Sequence, residues 1–239
     1  MIAAQAWLEA RLLVRNGEQL LLTLLIPVLL LVAFSLEKKL IKGTDVNFLV
    51  PGILALAVMS TAFTSQAIAT GFERRYGVLK RLGATPLPRG GLIGAKSVTV
   101  VGVELVQAVI IIAAGLGLGW RPAATPAAAA WVVVLILAGT AAFSGLALLM
   151  AGTLRAEATL AAANLVYLLL FGVGGIIFSL DRFPDGWRPV LLALPSGALS
   201  DGLRSVLAHA GGFPARDLLV LACWAVAGIA LAARTFRWD

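Results

Sequence analysis

Phe48-Leu-Val-Pro-Gly-Ile-Leu-Ala-Leu-Ala-Val-Met-Ser-Thr-Ala-Phe-Thr-Ser-Gln-Ala-Ile-Ala-Thr70 contains no charged side chain from end to end. An apolar helix needs about 20 residues to cross the roughly 30 Å hydrocarbon core of a bilayer, and this run meets that length. Working outward, comparable runs occupy residues 20–36, 92–119, 128–152, 160–180 and 218–233. The expectation is an all-α integral membrane protein with six transmembrane helices in a single domain. Residues 1–19 mix Trp7, Leu8, Leu12 and Leu13 with Glu9, Arg11, Arg15 and Glu18, the pattern of an amphipathic helix lying at the interface. Residues 181–213 carry apolar pieces too short to cross, punctuated by Pro184, Pro189, Pro195 and Gly197, and read as an external helical hairpin at the interface.

Composition excludes the soluble classes. The 239 residues are 60% hydrophobic and 13% charged, whereas a globular domain carries about a quarter charged residues to cover its surface. A net charge of +7 invites nucleic acid as a partner, but the bases sit between apolar runs rather than on one solvated patch, so no nucleic-acid partner is expected. The lone Cys223 permits no disulfide within the chain. Neither paired carboxylates, nor serine with histidine, nor metal-ligand spacing occurs in the loops, so no catalysis, cofactor or metal is expected on this chain.

Orientation follows from the basic residues of short loops, which are retained on the cytoplasmic side. After the second run come Arg74, Arg75, Lys80, Arg81, Arg89 and Lys96 against one acid, Glu73. That loop belongs inside, and an even number of spans then puts both termini in the cytoplasm. Lys38, Lys39 and Lys42 pull the other way, but Glu37 and Asp45 accompany them and the larger cluster dominates.

The loop itself reads Gly71-Phe-Glu-Arg-Arg-Tyr-Gly-Val-Leu-Lys-Arg-Leu-Gly-Ala-Thr-Pro-Leu-Pro-Arg89. Val78 and Leu82 share a helical face four residues apart, with Arg74, Arg75, Lys80 and Arg81 as a charged rim and Pro86 and Pro88 as stops. Physics leaves two readings open: a short amphipathic helix that docks in a partner's groove, or a basic loop that anchors topology against anionic lipid.

The run from Glu73 to Leu87 resembles the pattern Glu-Arg-Arg-x-Gly-Thr-Leu-Lys-x-Leu-x-x-Thr-Pro-Leu of type 2 ATP-binding-cassette exporter permeases, of which the daunorubicin-resistance permeases are a familiar branch. Val78 stands where the pattern has threonine. The resemblance implies that residues 71–89 form a coupling loop against a separate ATPase subunit present in two copies. Glu73, Arg74, Arg75, Gly77, Val78, Leu79, Lys80, Arg81 and Leu82 would carry the coupling. It further implies a multi-pass protein of the cell membrane that works beside a second permease copy or a related permease. ATP and magnesium would be bound by the partner, since no Gly-x-x-x-x-Gly-Lys-Ser/Thr phosphate loop occurs in the chain.

Polar groups inside spans are costly and face the bundle interior or an aqueous cavity. Ser60, Thr61, Thr64, Ser65 and Gln66 make one side of the second run polar, and Glu104 and Gln107 sit three apart on the third. They are candidates for the pathway of an amphipathic substrate, a drug or a lipid-like molecule. Helix-to-helix hydrogen bonding is the alternative for each, and for Asn164 it is the preferred reading. Gly172, Gly174 and Gly175, like Gly115 and Gly119, read as packing glycines. Two other functions remain in view. A membrane-embedded lipid-processing or assembly protein would need a partner for Glu104, and an ion-driven secondary transporter would show repeated halves.

Overall fold

The computed structural model describes residues 17–36, 45–78, 81, 89–123, 125–184, 186–208 and 212–235, and every longer regular element among them is helical. In chain order these are α1 (Gly17–Leu36), α2 (Val46–Arg75), α3 (Arg89–Gly117), α4 (Pro126–Thr153) and α5 (Ala156–Val173), then α6 (Arg188–Leu192), α7 (Pro195–Ala208) and α8 (Ala215–Thr235). Five of them, α2 to α5 and α8, are long and apolar enough to cross a membrane, one fewer than the six expected from sequence. The sixth expected span, residues 20–36, lies within the 20-residue helix α1, of which the described side chains cover the apolar stretch Leu24–Leu36. Most of the interfacial helix expected over residues 1–19 lies outside the described residues, as do Lys38, Lys39 and Lys42.

Local chemistry sets the helix ends. Asp45 Oδ1 accepts from the Phe48 amide at 2.9 Å at the start of α2, and Thr125 Oγ1 accepts from the Ala128 amide at 3.1 Å at the start of α4. Such caps satisfy amides that have no partner within the helix, each worth about 1 kcal/mol. The helix of the fifth span stops at Val173, earlier than the 180 expected, because Gly175 adopts φ +67° and turns the chain. Gly174 packs so closely that a Cβ there would lie 2.4 Å from Ser196 Oγ, whereas Gly172 faces open space. Gly115 likewise packs, against Val50, but Gly119 lies in the turn after α3 and touches nothing.

Burial ranks the spans. Of each membrane-length stretch, 78% is buried in α2 and 56% in α4, but only 28% in α3, 22% in α5 and 17% in α8, so α2 and α4 form the inner layer. Helices α4 and α8 cross closely at Gly145 and Gly228, where a Cβ on either glycine would meet the other helix's backbone at about 3 Å. Small residues let helix backbones touch in lipid, where dispersion takes over from the hydrophobic effect.

The hairpin expected over residues 181–213 contains α6 and α7. Helix α7 enters the bundle between α2 and α4, burying Pro195, Ser196, Gly197, Ala198, Leu199 and Ser200. The small side chains of this stretch make the entry sterically possible. Arg204 then fastens it: Nε donates to the Phe48 carbonyl at 3.2 Å, Nη2 donates to the Ile176 carbonyl at 2.9 Å, and the guanidinium lies 3.7 Å over the Phe48 ring. Burial lowers its pKa to about 10, which leaves it charged at neutral pH. Gly52 makes room for this contact, since a Cβ there would come within 2.1 Å of the Ile176 oxygen and 2.7 Å of Arg204 Nη2.

Candidate functional site

Two features of α2 concentrate the polar chemistry of the molecule. The first is a π-helical segment, Met59–Ser65, in the middle of the helix. Its wider turn shifts the hydrogen-bond ladder to i→i+5, a rare geometry that is frequent at functional sites. Neither proline nor glycine lies within it. Ser60, Thr61, Thr64 and Ser65 all fall inside the segment, and Gln66 follows directly.

These side chains knit four spans together. Ser60 hydrogen-bonds the Tyr167 hydroxyl of α5. Thr61 Oγ1 donates to Gln107 Oε1 of α3 at 3.0 Å, and Ser144 Oγ of α4 donates to Gln66 Oε1 at 2.7 Å. Thr140 Oγ1 of α4 lies 2.5 Å from Glu104 Oε2 of α3 and 2.8 Å from its own helix's Ile136 carbonyl, so it can donate to either. Ser60, Thr61, Gln66, Glu104 and Gln107 each thus make a bond to another helix. These bonds do not exhaust their capacity: Thr64 Oγ1, Gln66 Nε2 and Glu104 Oε1 are buried with no hydrogen-bond partner among the described residues. Ser65 is half-buried. Beside the π segment lies an apolar cavity of about 410 Å³, lined by Phe63, Leu146, Met150, Val166, Leu170 and Trp224 among others.

The second feature is a collar at the far end of α2. Residues 71–75, expected to open a separate loop, continue the helix of the span and stop at Tyr76. Glu73 pairs with Lys96 of α3, whose Nζ lies 2.8 Å from Oε1 and 2.7 Å from Oε2. Arg74 donates to the Leu154 carbonyl just past the end of α4, and Arg75 pairs with Glu157 in the first turn of α5. Three consecutive residues thus hold the ends of three other spans. Gly77 turns the chain with φ +68°, its amide donating to the Arg74 carbonyl, and Val78 and Arg81 resume helical geometry. Tyr76 and Arg81 are exposed, Val78 half-buried; Leu79, Lys80 and Leu82 lie outside the described residues.

Glu157, Tyr167 and Arg204 were not singled out from sequence. Each left a signal, as an acid opening the fifth run, a hydroxyl within an apolar run, and a cation in the middle of an apolar hairpin helix. What the sequence lacks is the partner of each, which lies a great distance away along the chain.

A bundle of membrane-length helices joined by buried polar pairs, with one helix carried through to a charged collar, defines a polytopic all-α membrane protein. A family model described as ABC-2 type transporter matches residues 2–208, and the chain belongs to that family. Membership makes it a multi-pass permease subunit of an ABC transporter, a class of transmembrane subunit that does not itself hydrolyse ATP and that typically pairs with an ATPase subunit. No match was found among curated proteins.

Proposed function

We propose that this chain is the transmembrane subunit of an ATP-driven exporter, working with a second permease copy and two separate ATPase subunits that bind ATP and magnesium. In this reading α1 is the first of six spans, both termini and the collar face the cytoplasm, and the protein resides in the cell membrane. Its substrate is amphipathic, a drug or lipid-like molecule of the kind handled by the daunorubicin-resistance branch. The apolar cavity lined by Phe63, Leu146, Met150, Val166, Leu170 and Trp224 suits the hydrocarbon part of such a molecule.

The observation that carries the proposal is the collar. Movement of an ATPase can be transmitted only through a contact whose energy differs between its two states. The stretch from Tyr76 to Leu82 is the natural contact, and Glu73, Arg74 and Arg75 connect it to α3, α4 and α5. The coupling set thus divides by role. Glu73, Arg74 and Arg75 transmit within the membrane domain, Gly77 sets the turn, and Val78, Leu79, Lys80, Arg81 and Leu82 meet the partner.

The test is co-expression with a candidate ATPase subunit from the same organism. Pull-down of the complex and permease-dependent stimulation of ATP turnover are expected. A chain that reaches the membrane, recruits no ATPase and leaves turnover unchanged would sink the proposal.

A further inference from the structure

The apolar cavity of about 410 Å³ is an open groove rather than an enclosed void. Met150 and Leu154 of α4, Val166 of α5 and Trp224 of α8 line it, with Phe63 of α2. Its lining on α4 runs from Leu146 to Leu154, about 12 Å of helical rise. That is most of the roughly 15 Å that one leaflet contributes to the hydrocarbon core. An apolar groove attracts no water, and left empty it forfeits the dispersion contacts of its walls. In a bilayer, hydrocarbon fills it.

The end of the groove at Leu154 lies against the collar, where Arg74 donates to the Leu154 carbonyl. The acids there are already taken, Glu73 by Lys96 and Glu157 by Arg75. Arg155, next in the chain, is exposed, and its guanidinium has no hydrogen bond or ion pair among the described residues. It also stands at the N-cap of α5 without giving that helix a side-chain cap. The opening amides of α5, at the positive end of the helix dipole, therefore lie beside Arg155. A groove of hydrocarbon length with a cationic end matches an acyl chain beneath an anionic phosphate. A zwitterionic headgroup brings its own cation and gains less there. We propose, resting on the reading above that this cavity takes hydrocarbon, that the groove holds one acyl chain of an anionic phospholipid from the leaflet at the collar, with the phosphate on Arg155 and the first turn of α5.

The experiment uses the full chain in vesicles of mixed phosphatidylglycerol and phosphatidylcholine, with a trace of one or the other carrying a photoreactive diazirine midway along an acyl chain. Labelled peptides are mapped by mass spectrometry. Phosphatidylglycerol is expected to label the peptides of Met150 and Val166 about fivefold more than phosphatidylcholine does. Arg155→Gln should bring the two lipids to parity. The variant should insert normally, because the apolar spans drive insertion and the guanidinium it removes holds no other described residue. Arg234→Gln, which removes another exposed cation in the last turn of α8, should leave the preference fivefold. Excess inorganic phosphate should leave it unchanged as well. Parity in the unaltered chain, a fivefold preference that survives Arg155→Gln, or an equal loss in Arg234→Gln overturns the headgroup assignment and leaves the cavity reading intact. A preference abolished by inorganic phosphate marks a site for the free anion and overturns the lipid. Labelling of neither peptide by either lipid removes the headgroup assignment and the hydrocarbon reading of the cavity together.

Discussion

Single residues set the sharpest limits on this fold. Gly52 faces the Ile176 carbonyl and the Arg204 guanidinium at distances no methyl group tolerates, and the first of these is backbone that cannot swing aside. Gly52→Ala is therefore expected to cost roughly 3 kcal/mol or more, whereas Gly102→Ala, which meets nothing, should be neutral or slightly stabilising through helix propensity. Melting of the two variants in detergent, followed by fluorescence or by loss of monodisperse protein, makes the comparison. Glu104 poses a different question, because one of its oxygens accepts from Thr140 and the other is buried unpartnered. Glu104→Gln keeps an acceptor for Thr140 and should cost under about 1 kcal/mol. Glu104→Leu leaves Thr140 only its own helix's carbonyl, and should melt somewhat earlier. Transport lost in the glutamine variant at an unchanged melting temperature would show that the charge itself is used.

Among elements, α2 was visible in the sequence as a span but not as two helices joined by a π turn. Hydropathy registers length and apolarity, and both are satisfied from Phe48 to Thr70. A π segment changes only the hydrogen-bond ladder, and Met59–Ser65 holds no proline or glycine to betray it. The polar strip was legible for the same reason that the turn was not, since hydroxyl spacing is a property of residue types. Its partners Gln107, Ser144 and Tyr167 lie on other spans and could not be assigned from spacing alone. The early end of α5 escaped because residues up to Leu180 remain apolar; Gly174 and Gly175 stop the helix through close packing and a positive φ, which hydropathy does not register. The π turn has a testable consequence for register. Deleting Ala62 removes the surplus residue, so Gln66–Arg75 keeps its facing, and the variant should reach the membrane at near-normal levels. Deleting Ala69 instead rotates Glu73, Arg74 and Arg75 by about 100° away from their partners, and should reduce the folded yield sharply. Equal yields from the two deletions would mean that the π turn does not absorb the register.

At the scale of the whole molecule, the collar decides whether a push on one short segment becomes a motion of the bundle. Arg75 and Glu157 are each more than half exposed, so their pair contributes at most about 1 kcal/mol to folding. Reversing one charge should therefore leave insertion and membrane level intact, because insertion is driven by the apolar spans. It should nevertheless loosen the link between α2 and α5, since two like charges now face each other where a pair stood. Arg75→Glu is expected to lower permease-stimulated ATP turnover several-fold while the ATPase still binds, and adding Glu157→Arg should restore most of it. Val78→Asp is predicted to behave otherwise. It places a carboxylate on the half-buried apolar position beyond the Gly77 turn, where losing an anchor worth about 2 kcal/mol weakens association roughly 30-fold. No change at Glu157 should rescue that loss. Pull-down of the ATPase, its stimulated turnover and the level of permease in membranes, measured on all three variants, separate transmission from docking. If the paired reversal fails to recover turnover while binding stays normal, Arg75 does not act through Glu157. If Val78→Asp binds and stimulates normally, the segment beyond Gly77 is a topology anchor against anionic lipid, and the contact with the ATPase must be sought elsewhere on the cytoplasmic face.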